Sequence, residues 1–279
     1  MNGPLNPPDL EVALKSLWGA RELPFGAAVE RPYASESFQQ TRHRLEQLVA
    51  VRACGLLHGP NGVGKSLLVQ HFLAALPDKR FKPLVLAHSS VTGTDLLRLL
   101  CSELGQNARM RRSDNVLLLR QGWQQLERLW PVIVLDEAQN LSATALEEVR
   151  LLSCDRRDTQ PPFSLLLVGD EQLLPRLQMG INAPLLARLS FCLRLAPWTA
   201  EELAGYVEAR LQEVGIHANP FDAAALQLLV RAGQGLPRLL NHLAQRALEA
   251  AAAQNSRAIT ATHVQRALEF LPWVAQITP

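Results

Sequence analysis

The fold is decided by residues 59–66, which read Gly59-Pro60-Asn61-Gly62-Val63-Gly64-Lys65-Ser66. They match the pattern G-x-x-x-x-G-K-[ST], in which glycines let backbone N–H groups close on phosphate oxygens. In that pattern the lysine reaches the β and γ phosphates, and the final hydroxyl binds Mg²⁺. A short apolar strand is predicted over residues 53–58, and apolar residues at helical spacing begin at Leu67. The sequence therefore predicts a strand, a phosphate-binding loop and a helix whose N-terminus faces the phosphates.

Residues 132–137 form a second motif, Val132-Ile133-Val134-Leu135-Asp136-Glu137. A buried parallel strand brings its carboxyl end to the edge of an α/β sheet, where ligands bind. We expect Asp136 to hold Mg²⁺ through water and Glu137 to polarise the attacking water as a general base. An apolar strand can also simply end in two surface acids. The upstream phosphate loop favours the catalytic interpretation, so the two motifs together predict an ATPase that uses ATP and Mg²⁺.

Length and composition fit an enzyme with more than one domain. The chain has 279 residues, of which 48% are hydrophobic, enough to bury a sizeable core. Its formal net charge of +2 and its pI of about 8.5 lie below the basic range of a dedicated nucleic-acid-binding module. Any nucleic-acid contact would therefore be local.

The cysteines and the hydropathy pattern bear on the compartment. Cys54, Cys101, Cys154 and Cys192 have no C-x-x-C or metal-ligand spacing, so we expect reduced structural thiols. No stretch resembles a secretory signal, and no run of about 18 uncharged apolar residues could span a bilayer. We therefore expect a cytoplasmic protein without a membrane segment.

Strands and helices alternate up to Pro197, after which only helices are predicted. The predicted strands are residues 53–58, 83–88, 131–135, 163–168 and 191–195, and the earlier helices are 9–18, 37–52, 94–104 and 115–129. This alternation is typical of an α/β fold with a parallel sheet covered on both faces. The later helices are predicted at 201–215, 222–232, 236–253 and 260–271. We expect an N-terminal extension (1–36), an α/β nucleotide-binding domain (37–197) and an all-helical lid domain (198–279).

These features resemble the AAA+ ATPases, which combine a P-loop NTPase core with a helical lid. Residues 136–141, Asp136-Glu137-Ala138-Gln139-Asn140-Leu141, resemble the D-E-A-Q-x-L signature of one AAA+ branch. That branch holds the ExeA-like secretion ATPases and the transposition regulators similar to TniB, MuB and TnsC. The resemblance runs from about Leu23 to Leu271 and includes residues 148–153, residues 167–169 with Glu171 and Leu173, and residues 235–238.

The resemblance implies roles for two arginines. Pro237 and Arg238 match the sensor 2 motif, in which the guanidinium lies against the γ-phosphate of its own subunit. Arg188 matches an arginine finger, which stabilises charge on the phosphoryl group bound by a neighbouring subunit. A solvated arginine at a helix start is the alternative for Arg238, and Arg194 competes with Arg188 for the subunit boundary.

Asp170 departs from the family pattern. The residue after Gly169 is usually a neutral polar side chain, called sensor 1, in this branch. A carboxylate beside the γ-phosphate would repel it, so either Asp170 faces away or hydrolysis is slow. The alternative is a turn residue that caps the helix beginning near Glu171.

Two short basic segments are candidates for DNA contact. Residues 109–112 read Arg109-Met110-Arg111-Arg112, and residues 79–82 read Lys79-Arg80-Phe81-Lys82. Both are predicted in loops, where such clusters are often only a solvated surface. Repetition around an oligomer would multiply their phosphate contacts and make binding salt-sensitive. Arg156 and Arg157 rank lower because Asp155 and Asp158 flank them.

The resemblance implies an ATPase that forms a homo-oligomer, a ring or a helical filament, on double-stranded DNA. Its partner would be a recombination protein, a transposase of the DDE type. The alternative in the same fold is an ExeA-like secretion-assembly ATPase, although such proteins usually continue into a membrane segment and a cell-wall-binding domain. A nucleotide-binding scaffold with negligible hydrolysis is a third interpretation, favoured by Asp170.

Overall fold

The computed structural model describes residues 7–26, 32–87, 91–154 and 161–275. The chain divides into two compact units. The α/β unit comprises Glu36–Pro60 and Lys65–Ala196, and the helical unit comprises Met1–Ser35, Asn61–Gly64 and Pro197–Pro279. Part of the phosphate-binding loop is thus grouped with the helical unit, a feature that nothing in the sequence indicated.

The α/β unit is built on a sheet of five parallel strands. They are β1 (Cys54–His58), β2 (Phe81–Leu86), β3 (Trp130–Leu135), β4 (Ser164–Gly169) and β5 (Leu189–Arg194). Their order across the sheet is β2-β3-β4-β1-β5. In β1, Leu56 lies opposite Leu167 of β4 on one side and Cys192 of β5 on the other. All carboxyl ends therefore meet at one edge, where α/β sheets bind ligands.

Helices connect these strands and cover the sheet, which confirms the predicted fold class. They are α2 (Glu36–Ala50), α3 (Lys65–Ala74), α4 (Gly93–Glu103), α5 (Arg112–Gln125), α6 (Ala143–Leu152), α7 (Leu173–Gln178) and α8 (Ala183–Leu186). Short 3₁₀ turns occupy Ala138–Asn140 and Gly180–Asn182. Thr92 and Ser142 cap α4 and α6, because each hydroxyl accepts a backbone N–H of the first turn.

Burial follows the position of each strand. The central strands β3 and β4 are buried at almost every residue, as expected for a parallel sheet covered on both faces. Edge strand β5 instead exposes Ser190, Cys192 and Arg194. Leu84, Ile133 and Leu165 pack in one core, and full burial of each contributes about 1.5–3 kcal/mol. This core fixes the sheet edge that carries both sequence motifs.

The helical unit has its own core. Its helices are α1 (Pro7–Trp18), α9 (Ala200–Glu213), α10 (Ala223–Gly233), α11 (Pro237–Ala253), α12 (Ala261–Glu269) and α13 (Pro272–Ala275). Thr199 and Glu202 form a capping box that starts α9. On α11 an apolar stripe that includes Leu240, Leu243 and Ala247 is buried. None of the described helices combines the length and the apolar character needed to cross a membrane.

Several predicted boundaries are wrong by a few residues, and two of them matter for the site residues. Strand β2 begins at Phe81, so Lys82 lies within a strand and not in a loop. Arg112 is the first residue of α5 and likewise does not belong to a loop. The helix predicted at 260–271 spans Ala261–Glu269, so it ends two residues early, and a short helix follows at Pro272, whose missing N–H and fixed φ favour a helix start.

Some predictions fall outside the described residues. These are the end of the second predicted strand at His88, the first residues of the N-terminal extension, and the charged run Asp155-Arg156-Arg157-Asp158.

Candidate nucleotide-binding site

The phosphate-binding loop runs directly from β1 to α3. Strand β1 is buried along its whole length, so the loop starts from a fixed point at the carboxyl edge of the sheet. Gly62 and Gly64 have φ of +88° and +107°, which residues with a Cβ rarely adopt. The loop therefore has the conformation for which the G-x-x-x-x-G-K-[ST] pattern requires glycine.

Lys65 is the first residue of α3, and its side chain lies along the loop that precedes it. The residue is only 7% exposed. Its Nζ donates to the carbonyl oxygens of Gly59, at 2.8 Å, and Pro60, at 3.1 Å. A buried ammonium group needs such partners, because desolvation without them is costly. The positive charge is thus held at the end of β1.

Ser66 and Asp136 are brought together by the fold. The Ser66 hydroxyl donates to Oδ2 of Asp136 at 3.2 Å, although the residues are 70 positions apart in sequence. The backbone N–H of Asp136 donates to the carbonyl of Leu86, which ties the end of β3 to β2. A hydroxyl and a carboxylate oxygen are the hard ligands that Mg²⁺ prefers beside phosphate oxygens and water. These two residues therefore fit the predicted metal site.

Glu137 follows Asp136 at a sharp turn of the backbone and has a side-chain partner of its own. Its φ of 53° and ψ of 37° are left-handed, a conformation that is uncommon for a residue with a Cβ. Its N–H donates to Oδ1 of Asp136 at 2.9 Å, and its Oε2 accepts from Nε2 of Gln139 at 2.7 Å. The two acids therefore have different surroundings, as their different predicted roles require.

Asp170 follows β4 and forms part of a turn. Its Oδ1 accepts the backbone N–H of Gln172 at 2.8 Å, so the carboxylate is used locally before α7 begins at Leu173. Its own N–H donates to Oε1 of Gln139 at 3.2 Å. This geometry agrees with a turn-forming residue, the alternative to a nucleotide sensor.

Arg188 immediately precedes the edge strand β5, and Arg194 is its last residue. Arg188 is half-buried and donates to the carbonyl of Pro184 in α8. Arg194 pairs with Glu171 at 3.4 Å, and both side chains are more than half exposed. Such an exposed pair contributes little stability. The assignment of Arg188 as the arginine finger stays a prediction.

His58 ends β1 immediately before the phosphate-binding loop. Its Nε2 lies 3.9 Å from Sγ of Cys192, and its buried Nδ1 has no partner among the described residues. Burial lowers the pKa of His58, and the positive charge of Arg194 lowers it further. The imidazole is therefore neutral near pH 7 and adds no charge beside the loop.

Arg238 lies in the first turn of α11, after Pro237 at the helix start, as the sequence predicts. Its backbone N–H donates to the carbonyl of Gly62 at 3.2 Å, a contact within the helical unit. This bond joins the start of α11 to the phosphate-binding loop. It involves only the backbone of Arg238, so the role of its side chain as sensor 2 stays a prediction.

The segment before α5 presents two exposed arginines on a fixed backbone. Arg109 and Arg111 are exposed, and Met110 between them is 79% exposed. Asn115 is fully buried; its Oδ1 accepts the N–H of Arg109 at 2.7 Å, and its Nδ2 donates to the Arg109 carbonyl at 2.9 Å. One buried amide therefore holds the chain on both sides of Arg109.

Arg112 differs from its neighbours because it is paired within the fold. It donates to both carboxylate oxygens of Glu148 in α6, and the longer bond is 2.8 Å. The Glu148 side chain is only 10% exposed. This hydrogen bond to a carboxylate raises the pKa of Arg112. Arg112 is thus a structural ion pair and is not free in the way that Arg109 and Arg111 are.

The other basic segment is also divided. Lys79 and Arg80 are exposed in the turn before β2, whereas Lys82 is half-buried inside the strand. The Arg80 guanidinium lies 5.5 Å from the ring centroid of Phe81. The turn is anchored by the N–H of Trp130, which donates to the Arg80 carbonyl at 2.8 Å.

Sequence reasoning missed four residues that hold these features in place, namely Gln139, Arg176, Asn115 and Glu148. Gln139 was visible as part of the D-E-A-Q-x-L signature, but its bonds to Glu137 and Asp170 were not. Asn115 opens a predicted helix, Glu148 belongs to the stretch 148–153 that carries the family resemblance, and Arg176 follows the helix start predicted near Glu171. No spacing rule marks them, since their partners are distant in sequence or are backbone groups.

Comparisons with known proteins agree with this geometry. Residues 49–177 match the family model described as AAA domain. General secretion pathway protein A of Aeromonas hydrophila is 31% identical over 214 residues, which are 73% of this chain and 38% of that protein. The chain therefore spans well under half of the length of that relative.

Solved structures with the same fold include two archaeal proteins. Cdc6p from Pyrobaculum aerophilum has a TM-score of 0.72 at 17% identity, and the match covers 88% of this chain and 70% of that one. The ORC1 protein of Aeropyrum pernix, solved in complex with DNA, has a TM-score of 0.62 at 18% identity, with coverages of 90% and 69%. At these identities the likeness shows the fold alone.

The chain therefore has the P-loop NTPase fold of the AAA+ type, with a helical C-terminal part. The AAA domain and the related secretion protein support an AAA+ ATPase, as the sequence resemblance implied. The narrower assignment to the TniB and TnsC branch stays a prediction.

Proposed function

We propose that this chain is a Mg²⁺-dependent ATPase whose ATP-bound subunits assemble on duplex DNA and recruit a transposase of the DDE type. The observation that carries the ATPase assignment is the 3.2 Å bond from Ser66 to Asp136. It joins the two motifs at one point, where the carboxyl ends of β1 and β3 share an edge of the sheet.

Each residue of this site has a separate role in the proposed reaction. Ser66 and, through water, Asp136 would hold Mg²⁺, which would supply positive charge against the phosphates. Lys65 binds the same phosphate oxygens. Glu137 accepts a proton from the attacking water while the bond from the γ-phosphorus to the ADP oxygen breaks. Because the Asp170 carboxylate is engaged by Gln172, it lends no support to a scaffold without turnover.

In this proposal, assembly depends on the two arginines. Arg238 contacts the γ-phosphate in its own subunit, and Arg188 contacts the one in a neighbouring subunit. A site completed by two chains makes assembly depend on the bound nucleotide, because ATP binds the assembled state more tightly than the free one. The product is a closed ring or a helical filament in the cytoplasm.

DNA binding is proposed from charge and from the fixed backbone of one segment. Arg109 and Arg111 are exposed on a chain that Asn115 holds from inside, so little conformational entropy is lost on contact with phosphates. Lys79 and Arg80 form a second exposed pair in the turn before β2. A neighbour of the same fold, the ORC1 protein of Aeropyrum pernix, was solved in complex with DNA.

A second function is favoured by a specific observation. The relative at 31% identity is a general secretion pathway protein, so an ATPase that assembles secretion machinery fits the same nucleotide site. This alternative predicts an ATPase without duplex affinity. It shares every residue role described above except those of the two basic segments.

Phosphate release and duplex binding, measured on the same protein, separate these functions. We expect Mg²⁺-dependent phosphate release that duplex DNA stimulates, and fluorescence anisotropy of labelled duplex that rises only with an ATP analogue. Lys65→Ala serves as the control that should abolish both responses. Phosphate release at the same rate with and without DNA, together with no anisotropy change at low salt, would favour the secretion function. Bound ATP without any phosphate release would favour the scaffold.

A further inference from the structure

We infer that Gln139 is a positioning residue that holds the general base Glu137 and couples it to the end of β4. This inference rests on the proposed ATPase function and deepens it, since it concerns how the base is held ready. Neither the phosphate-binding loop nor the paired acids assign any role to residue 139.

Both ends of the Gln139 amide are used. Nε2 donates to Oε2 of Glu137 at 2.7 Å, and Oε1 accepts the backbone N–H of Asp170 at 3.2 Å. The orientation of the amide is fixed by these partners, because a carboxylate can only accept and a backbone N–H can only donate. Turning the amide over would lose both bonds. Gln139 is therefore a bridge of defined polarity between the acid-bearing loop and the strand β4.

The backbone around the bridge is also held. The N–H of Asn140 donates to the carbonyl of Glu137 at 2.9 Å, which closes the 3₁₀ turn after the left-handed residue. From α7, the guanidinium of Arg176 donates to the carbonyls of Gln139 and Leu141. An uncommon backbone conformation persists where its surroundings over-determine it, and such positions concentrate at functional sites.

The end of β4 is shaped to receive the amide. A Cβ at Gly169 would lie 2.5 Å from Oε1 of Gln139 and 2.9 Å from Cδ2 of Leu173. No side chain fits there without displacing the bridge. Gly169 pairs with His58 of β1, the strand that leads into the phosphate-binding loop. The end of β4 is thereby in contact with Gln139, the residue that holds the general base Glu137.

The consequence for catalysis is a division of labour between the two oxygens of Glu137. Oε2 is bound by Gln139, which leaves Oε1 for the attacking water. Because Gln139 binds only Oε2, the carboxylate is held in one orientation while Oε1 can still accept a proton. Any movement of the end of β4 would be transmitted through Oε1 of Gln139 to this carboxylate. We therefore expect loss of the bridge to affect the chemical step and not ATP binding.

The test compares Gln139→Met, which has similar length but no amide, with Gln139→Glu, which keeps an acceptor for Asp170 and repels Glu137. Asn140→Ala is the matched control, since this neighbouring amide is exposed. We expect both Gln139 variants to lower kcat by about 10- to 100-fold, the usual result of misplacing a catalytic group. KM for ATP should stay within roughly twofold, because ground-state binding is untouched. Asn140→Ala should match the parent.

A double-mutant cycle distinguishes positioning from a structural defect. In a Glu137→Gln background, single-turnover hydrolysis should be unchanged by Gln139→Met, because the group through which residue 139 acts is already lost. Gly169→Ala provides a second route to the same loss, with the glutamine intact. Circular dichroism melting and the affinity for a fluorescent ATP analogue verify that each variant is folded.

Three outcomes would overturn the inference. They are a parent-like kcat in Gln139→Met, an equal loss of rate with and without Glu137, or a rise in KM without a fall in kcat. A parent protein that binds but never hydrolyses ATP would instead remove the proposed function itself. The two failures are thus distinguishable, because the first is measured only against an active parent.

Discussion

The phosphate-binding loop and the segment Arg109–Arg112 are both short and cationic, but the fold uses their charges in opposite ways. Lys65 donates to carbonyls of its own loop, and its charge stays at the end of β1. In the other segment Arg112 is bound by Glu148, while Arg109 and Arg111 remain exposed. A motif with a required backbone geometry identifies its functional atoms, whereas a count of charges does not tell which of them are available.

The largest expected effect on activity comes from Arg188, which lies in neither the phosphate-binding loop nor the segment Arg109–Arg112. Loss of an arginine finger costs about 10³–10⁵ in rate in well-studied GTPases. We expect Arg188→Ala to bind ATP nearly normally but to lose turnover on that scale. Mixing it with Lys65→Ala should restore some activity, since one chain supplies an intact loop and the other an intact finger.

Arg194→Ala is the matched control for Arg188, because Arg194 ends the same strand β5 that Arg188 immediately precedes. It should retain most of the parental turnover. Full activity of Arg188→Ala, together with loss in Arg194→Ala, would transfer the role to Arg194. Absence of rescue at ratios that give mixed oligomers would count against any action across the boundary.

The next largest effect tests the nucleotide region itself. Glu137→Gln should lower phosphate release by about 10²–10⁴, the usual contribution of a general base, while ATP and Mg²⁺ remain bound. The assembled state should then last longer, as seen by light scattering after ATP is added. Lys65→Ala should instead weaken nucleotide binding and prevent assembly. Parental turnover in Glu137→Gln would show that another group is the base.

A smaller effect is expected from the residue that holds the basic segment. Asn115→Ala leaves the backbone groups of Arg109 without their buried partner, which costs about 1–3 kcal/mol of the free energy of unfolding. Duplex affinity should fall as well, because the segment loses its fixed backbone. Urea denaturation measures the first quantity. Asn107→Ala, a change at an exposed asparagine of the same segment, should alter neither, and equal behaviour of the two variants would refute the bracing role of Asn115.

The comparison also shows where sequence reasoning stops. The parallel sheet, the helical C-terminal part and the meeting of Ser66 with Asp136 follow from strand alternation and motif spacing, because both constrain the backbone. The end of α12 at Glu269 and the position of Lys82 inside β2 were missed, since local propensity leaves boundaries undecided. The bonds of Gln139 and the pairing of Arg112 with Glu148 depend on tertiary packing between α-helices and loops. No local pattern encodes that packing.

The smallest expected effect, on the salt dependence of duplex affinity, tests most directly which arginines of the segment Arg109–Arg112 can bind DNA phosphates. Removing a cation that binds a DNA phosphate should flatten the slope of log affinity against log salt by about 0.9 per binding unit. Arg109→Ala and Arg111→Ala should each do so and weaken binding to all duplexes alike. Arg112→Ala should leave the slope unchanged and instead lower stability, because it leaves the nearly buried Glu148 carboxylate unpaired. The same measurement on Lys79→Ala and Arg80→Ala, with Lys82→Ala as their half-buried counterpart, asks the same question of the turn before β2. Equal slopes for all these variants and the parent, with ATP-dependent assembly intact, would mean that neither segment contacts DNA, and the secretion function would then be preferred.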